Sequence, residues 1–139
     1  MKPLYLDASA IIYMVETPGS FTAATQERVK QHTSQPDGRL LTSRLSRLEC
    51  RVRPVREQNA KRLAEYEDFF TAEDIVVADV TAAVIERATD LRARYGFKTP
   101  DALHLATAIE HDAGTVLTGE PAWKRCAEVE VVVVTAKAP

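Results

Sequence analysis

Apolar residues come in short runs along the chain, each closed by a polar or turn-forming residue and followed by a stretch of helical spacing. Leu4-Tyr5-Leu6 stops at Asp7, which reads as strand, acid, helix, with Ser9 placed to cap a helix through Ala10-Ile11-Ile12-Tyr13. A polar-rich helix is expected from Phe21 to about His32, and Gln35-Pro36-Asp37-Gly38 has the residue types of a turn. Leu40-Leu41-Thr42 reads as a second strand, with Ser43 as the next N-cap. On the helix that follows, Leu45, Leu48 and Val52 mark an apolar face on which Glu49 also falls, and Pro54 should kink or end it. Ala60 to Phe70 predicts another helix with Leu63, Tyr66, Glu67 and Phe70 roughly on one side, and Ile75-Val76-Val77 a third strand.

Thr81 can cap a long helix to about Tyr95, in which Val84, Ala88, Leu91 and Tyr95 recur at helical spacing, and Gly96 is placed to close it. Thr99-Pro100-Asp101 opens a further helix, to about His111, with a cap, a proline in the first turn and an acid favoured by the helix dipole. Thr115 to Thr118 reads as a fourth strand, followed by Gly119-Glu120-Pro121 and a short helical turn around Trp123, and Val131 to Val134 as a fifth. Strands alternating with helices predict an α/β fold: a parallel sheet of about five strands flanked by helices, an α/β/α sandwich. The domain is expected to span residues 1–135, with 136–139 as a loose C-terminal tail.

Length agrees with that organisation, since 139 residues at 45% hydrophobic suffice for one core and not for two. The net charge of -2 argues against a surface coated in positive potential, as on many nonspecific DNA binders, and leaves room for a local basic groove. Cys50 and Cys126 lack the spacing of a disulfide framework or a zinc site, which suits a reducing cytoplasm. Asp7 interrupts the apolar stretch that a signal peptide needs, and no later apolar run approaches membrane-spanning length. A cytoplasmic protein without a membrane role is expected.

Parallel sheets form their sites beyond the carboxyl ends of strands. Asp7 and Glu120 each fall just past a predicted strand, Asp101 begins a helix and Glu49 faces inward from another, so four carboxylates could meet. Each acid also has an ordinary explanation. Asp7 could end a strand, Asp101 could serve as a first-turn residue, Glu49 could pair with an arginine such as Arg53, and Glu120 could be a loop residue. Gathered acids repel one another and normally enclose a cation. Without Cys or His ligand clusters, the expected ion is hard and oxygen-loving, Mg²⁺ or Mn²⁺, which suits phosphodiester hydrolysis.

The acids in order, Asp7-Ala8-Ser9 after the first strand, Glu49 in the helix after the second, Thr99-Pro100-Asp101-Ala102-Leu103-His104-Leu105-Ala106-Thr107-Ala108, and Leu117-Thr118-Gly119-Glu120, resemble the PIN-domain family, particularly VapC-like toxins. The resemblance covers nearly the whole chain and is most specific in Pro100 to Ala108. It implies a metal-dependent endoribonuclease with an acidic quartet of Asp7, Glu49, Asp101 and Glu120 as catalytic residues and metal ligands, and Ser9 and Thr118 as nearby hydroxyls toward substrate. It also implies a VapB-like antitoxin that occludes the site, toxin homodimers and the higher assemblies these form. The fourth acid departs from the family pattern, which usually has Asp after Thr-Asn or Thr-Gly; Glu120 is longer and precedes Pro121.

Arg44, Arg47 and Arg51, at three- and four-residue spacing on the helix of Glu49, are candidates for RNA phosphates, against a solvated basic face. His104, one turn after Asp101, reads as a packed, hydrogen-bonded histidine, and Trp123 and Tyr13 as packing residues more readily than as base-stacking ones. Competing readings are a PIN-like RNA- or protein-binding module with a decayed site and a housekeeping RNA-processing nuclease. A haloacid-dehalogenase-like phosphatase needs a second Asp where this chain has Ser9, and a receiver domain needs an acidic pair near the first strand that is missing here.

Overall fold

Three residues suffice for the central strand. In the computed structural model, which describes residues 1–16 and 21–135, β1 (Leu4–Leu6) is buried on both faces, so all three of its positions are apolar. The other elements are α1 (Ala8–Val15), α2 (Thr22–Thr33), β2 (Leu40–Ser43), α3 (Arg44–Arg56), α4 (Ala60–Phe70), β3 (Ile75–Ala78), α5 (Ala82–Tyr95), α6 (Thr99–Glu110), β4 (Thr115–Thr118), a 3₁₀ turn at Pro121–Arg125 and β5 (Glu130–Val133). The sheet has the order β3-β2-β1-β4-β5, with every pairing parallel. The five strands and the covering helices match the expected architecture; the expected tail at 136–139 lies outside the described residues. Among the described residues no helix is long and apolar enough to cross a membrane.

The sheet divides the core in two. Tyr5 of β1 points into a cluster with Leu41, Leu91, Leu105, Val116 and Trp123, while Leu4 and Leu6 point into one with Ile11, Leu40, Tyr66 and Leu117. β1 lies between β2 and β4, and the order reverses there, so the carboxyl end of β1 opens at a topological switch point.

Several helix boundaries differ from expectation for traceable reasons. Asp7, not Ser9, caps α1, because its carboxylate accepts from the Ala10 amide. Lys98 occupies the N-cap position of α6 without a side-chain cap; the Thr99 hydroxyl accepts instead from Arg92 Nη1 at 3.0 Å. Ser43 and Thr81 cap α3 and α5 as expected, and Gly96 closes α5 at φ 74°, a left-handed conformation that glycine adopts without strain. β5 begins one residue early, at Glu130, and ends at Val133.

The largest difference is in α3. Leu48 and Val52, read as its inner face, are 59% and 45% exposed, whereas Ser46, Cys50 and Pro54 are buried at four-residue spacing. Small side chains let the helix approach closely. Ser46 meets the Thr42 hydroxyl at 2.8 Å, and the Cys50 thiol lies 3.8 Å from the Ala8 carbonyl. Pro54 does not end the helix, which runs on two residues to Arg56; within the last turn it forfeits one amide bond while its ring is buried.

Candidate active site

Asp7 stands at the carboxyl end of the central strand with its side chain turned inward. Its Oδ1 accepts from Ser9 Oγ at 2.7 Å and from the Ala10 amide at 2.9 Å, and its Oδ2 accepts from Thr118 Oγ1 at 2.6 Å. Each hydroxyl is then engaged a second time. Ser9 Oγ accepts from the Gly119 amide at 2.9 Å, and Thr118 Oγ1 accepts from the Glu120 amide at 3.1 Å. Ser9 and Thr118 therefore frame Asp7 and stitch the start of α1 to the loop after β4.

The carboxylate is 3% exposed and forms no ion pair among the described residues. Burial raises its pKa above the ordinary carboxylate value, opposed by the hydrogen bonds from Thr118 and Ala10, the neighbouring His104 and the Ser9 hydroxyl. A carboxylate has about four acceptor directions and three are filled, so one on Oδ2 stays open.

Glu49 is held from the other side of the switch point. Its Oε1 lies 2.6 Å from His104 Nε2, and His104 Nδ1 lies 2.6 Å from the Tyr5 hydroxyl. Arg53, the expected alternative partner, pairs with Glu57 instead. Asp101 sits in the first turn of α6, one turn before His104 and on the same side of the helix, partly exposed and without a side-chain partner among the described residues. Glu120 is exposed, its amide fixed by Thr118 and its carboxylate unpaired among the described residues.

Tyr13 joins these groups. A Cβ on Gly119 would lie 2.6 Å from the Tyr13 hydroxyl, so the loop after β4 needs a glycine to pass the ring. Burial, then the charges of Asp7 and Glu120, raise the pKa of the Tyr13 hydroxyl, which places both acids in its surroundings. The ring stacks on Phe21 at a centroid distance of 4.8 Å. Trp123 is buried in the core and packs near His104, with ring centroids 5.8 Å apart.

Of the three candidate arginines of α3, two point to other acids and one to a backbone carbonyl. Arg44 Nε is 2.6 Å from Asp79, and Arg47 pairs with Glu67 at 3.1 Å while lying over the Phe70 ring. Arg51 Nε donates to the Arg47 carbonyl at 2.8 Å. None of the three contacts one of the four acids. Tyr5 and His104 are the residues that sequence reasoning left without a role at the site; the available signal was the three-residue step from Asp101 to His104 on the helix facing the sheet.

Among the described residues, no three His, Cys, Asp or Glu side chains converge closely enough to form a metal cage by themselves. The donor chemistry nonetheless fits a hard divalent cation. A buried, unpaired carboxylate with an open lone pair lacks a positive charge, the nearby donors are oxygens, and Mg²⁺ characteristically retains several waters beside one or two carboxylates.

A PIN domain model matches residues 4–129. The fold is similar to that of VapBC2 from Rickettsia felis, solved bound to a promoter DNA fragment (TM-score 0.79, 13% identity, 96% of this chain and 99% of that one). It is also similar to DNA-bound VapBC from Salmonella typhimurium (TM-score 0.71, 17% identity, covering 96% and 98%). A third likeness is to VapC20 of Mycobacterium tuberculosis, a toxin that cleaves the sarcin-ricin loop (TM-score 0.66, 16% identity, covering 81% and 86%). A search of curated protein sequences gave no significant match. With the parallel five-stranded sheet and a family match spanning nearly every described element, this chain belongs to the PIN domain family.

Proposed function

We propose that the chain is a Mg²⁺- or Mn²⁺-dependent endoribonuclease acting in the cytoplasm as the toxin of a type II, VapBC-like pair. The observation that carries this reading is Asp7: a buried carboxylate, framed by three donors and paired with no cation, at the carboxyl end of the central strand of a PIN fold. Asp7 Oδ2, the free oxygen of Glu49, Asp101 and Glu120 are the groups that would hold the ion. When bound, the ion supplies the charge that lowers the pKa of an attacking water and neutralises the leaving oxygen. Ser9 and Thr118 keep the Asp7 oxygens oriented. Of the three candidate arginines, Arg51 is best able to meet RNA phosphates, since Arg44 and Arg47 would first have to leave Asp79 and Glu67. The structural neighbours from Rickettsia felis and Salmonella typhimurium are VapBC complexes, which supports a VapB-like antitoxin as the partner that covers the exposed acids; the toxin itself would form a homodimer.

Purified protein should cleave RNA with Mg²⁺ or Mn²⁺, and Asp7→Asn and Asp101→Asn should each nearly abolish cleavage while the circular dichroism spectrum stays that of the parent. Undiminished cleavage in excess EDTA refutes the reading. Expression without a partner should arrest growth and Asp7→Asn should relieve the arrest; normal growth with soluble, active enzyme favours a housekeeping RNA-processing role.

A further inference from the structure

Both ring nitrogens of His104 are committed, at 2.6 Å each, to different partners: Nδ1 to the Tyr5 hydroxyl and Nε2 to Glu49 Oε1. The histidine is 2% exposed and Tyr5 is fully buried, so neither group has water as an alternative partner. We infer that Tyr5 and His104 form a positioning relay that fixes one oxygen of Glu49 and presents the other to the cation. The inference rests on the metal-dependent reading above.

The direction of the relay follows from hydrogen-bond bookkeeping. A carboxylate oxygen only accepts, so the 2.6 Å contact to Glu49 Oε1 puts a hydrogen on His104 Nε2 and leaves Nδ1 to accept at its own 2.6 Å contact. The Tyr5 hydroxyl therefore donates to Nδ1, and His104 takes the tautomer with hydrogen on Nε2, which donates to Glu49 Oε1. Oε2 receives no donor among the described residues, and the Glu49 side chain remains 31% exposed. Glu49 is a flexible residue on a helix whose apolar stripe faces solvent, so without the relay nothing would hold its carboxylate over the switch point. Partners that orient a ligating carboxylate typically contribute 10- to 100-fold in metal affinity or activity.

Two measurements on the full chain test this. In metal-free protein, ¹⁵N NMR of the imidazole should show His104 with its hydrogen on Nε2, and Tyr5→Phe should abolish that fixed tautomer. Calorimetric titration with Mn²⁺ should show affinity weakened roughly 10- to 100-fold by Tyr5→Phe, and no additional loss when Tyr5→Phe is placed in a Glu49→Gln background. A merely structural role for Tyr5 would lower the melting temperature and shift Mn²⁺ affinity equally in both backgrounds. Should Tyr5→Phe fail to fold, His104→Leu against His104→Gln serves instead: the glutamine keeps an N–H for Glu49 and should bind Mn²⁺ more tightly than the leucine. A hydrogen on Nδ1 in the parent, or parental Mn²⁺ affinity in Tyr5→Phe, overturns the relay. Absence of Mn²⁺ binding by the parent instead overturns the nuclease reading, and the relay's purpose falls with it.

Discussion

Gly119→Ala adds one methyl group where the loop after β4 passes the Tyr13 ring, and its consequence can be worked out from three distances. The new Cβ would stand 2.6 Å from the Tyr13 hydroxyl and 3.1 and 3.2 Å from two ring carbons. Ordinary contact begins at 3.4 Å, so the hydroxyl must retreat by about 0.8 Å. Tyr13 has little freedom to do so, because its ring is stacked on Phe21 at 4.8 Å and its helix is tied to Asp7. Overpacking of this kind costs about 1 to 3 kcal/mol. At about 4 °C per kcal/mol for a domain of this size, the melting temperature should fall by roughly 4 to 12 °C. The hydroxyl causes the worst contact and donates to no described residue, so Tyr13→Phe alone should change stability by less than about 0.5 kcal/mol. In combination it should recover about half of the loss, a coupling that a thermal double-mutant cycle reads directly. An unchanged melting temperature in Gly119→Ala, or strict additivity with Tyr13→Phe, would refute the close approach as the reason for the glycine.

Four further outcomes follow from the site and the core. Burial raises the folded-state pKa of Asp7, so the native metal-free protein binds more protons than the unfolded chain between the two values; its stability should fall as pH rises through that window, and Asp7→Asn should flatten this part of the profile. Added Mg²⁺ should raise the melting temperature of the parent and not of Asp7→Asn, and equal shifts in both would place the ion elsewhere. Glu120→Gln should weaken the apparent Mg²⁺ affinity for cleavage more than it lowers the rate at saturating metal if Glu120 acts through water; identity with the parent at all Mg²⁺ concentrations would leave Asp7, Glu49 and Asp101 as the site. Cys126, whose thiol burial and Glu128 push to about 11, and Cys50, raised still further by burial, should resist a thiolate-selective reagent at pH 8 in folded protein and react at once in denaturant. Rapid labelling of native protein would contradict the packing around both.

How far the sequence could be read depended on how directly each residue type reports its surroundings. β1 is an apolar run buried on both faces, β2 and β4 each carry an adjacent pair of buried apolar residues, and Thr81 and Gly96 bound α5 through backbone hydrogen bonding that the residue types lead one to expect. The face of α3 was misread because hydrophobicity and burial part there: close packing against α1 and β2 selects Ser46 and Cys50, and leaves Leu48 and Val52 outside. Caps were misplaced by a residue or two where a second partner competed, as Arg92 does for the Thr99 hydroxyl. The four acids could be named from their order in the chain, whereas the partners of Glu49 could not: Tyr5 and His104 are 99 residues apart, and only the fold brings them together. The charged arginines of α3 gave no sign in sequence of their commitments to Asp79 and Glu67.

The frame around Asp7 also sets a timetable. The acid is synthesised well before its frame: the Thr118 hydroxyl that holds its Oδ2 and the Gly119 amide that holds Ser9 arrive 111 and 110 residues after their respective partners. Until β4 has emerged and paired with β1, Asp7 lacks Thr118 as a donor, and the loop whose Gly119 amide engages Ser9 has not been made. A nascent or truncated chain ending before residue 115 would carry Asp7, Glu49 and Asp101 without the enclosure that desolvates the first of them. The enclosure of Asp7 is therefore completed late in synthesis, only once the segment from Thr115 to Gly119 has been made.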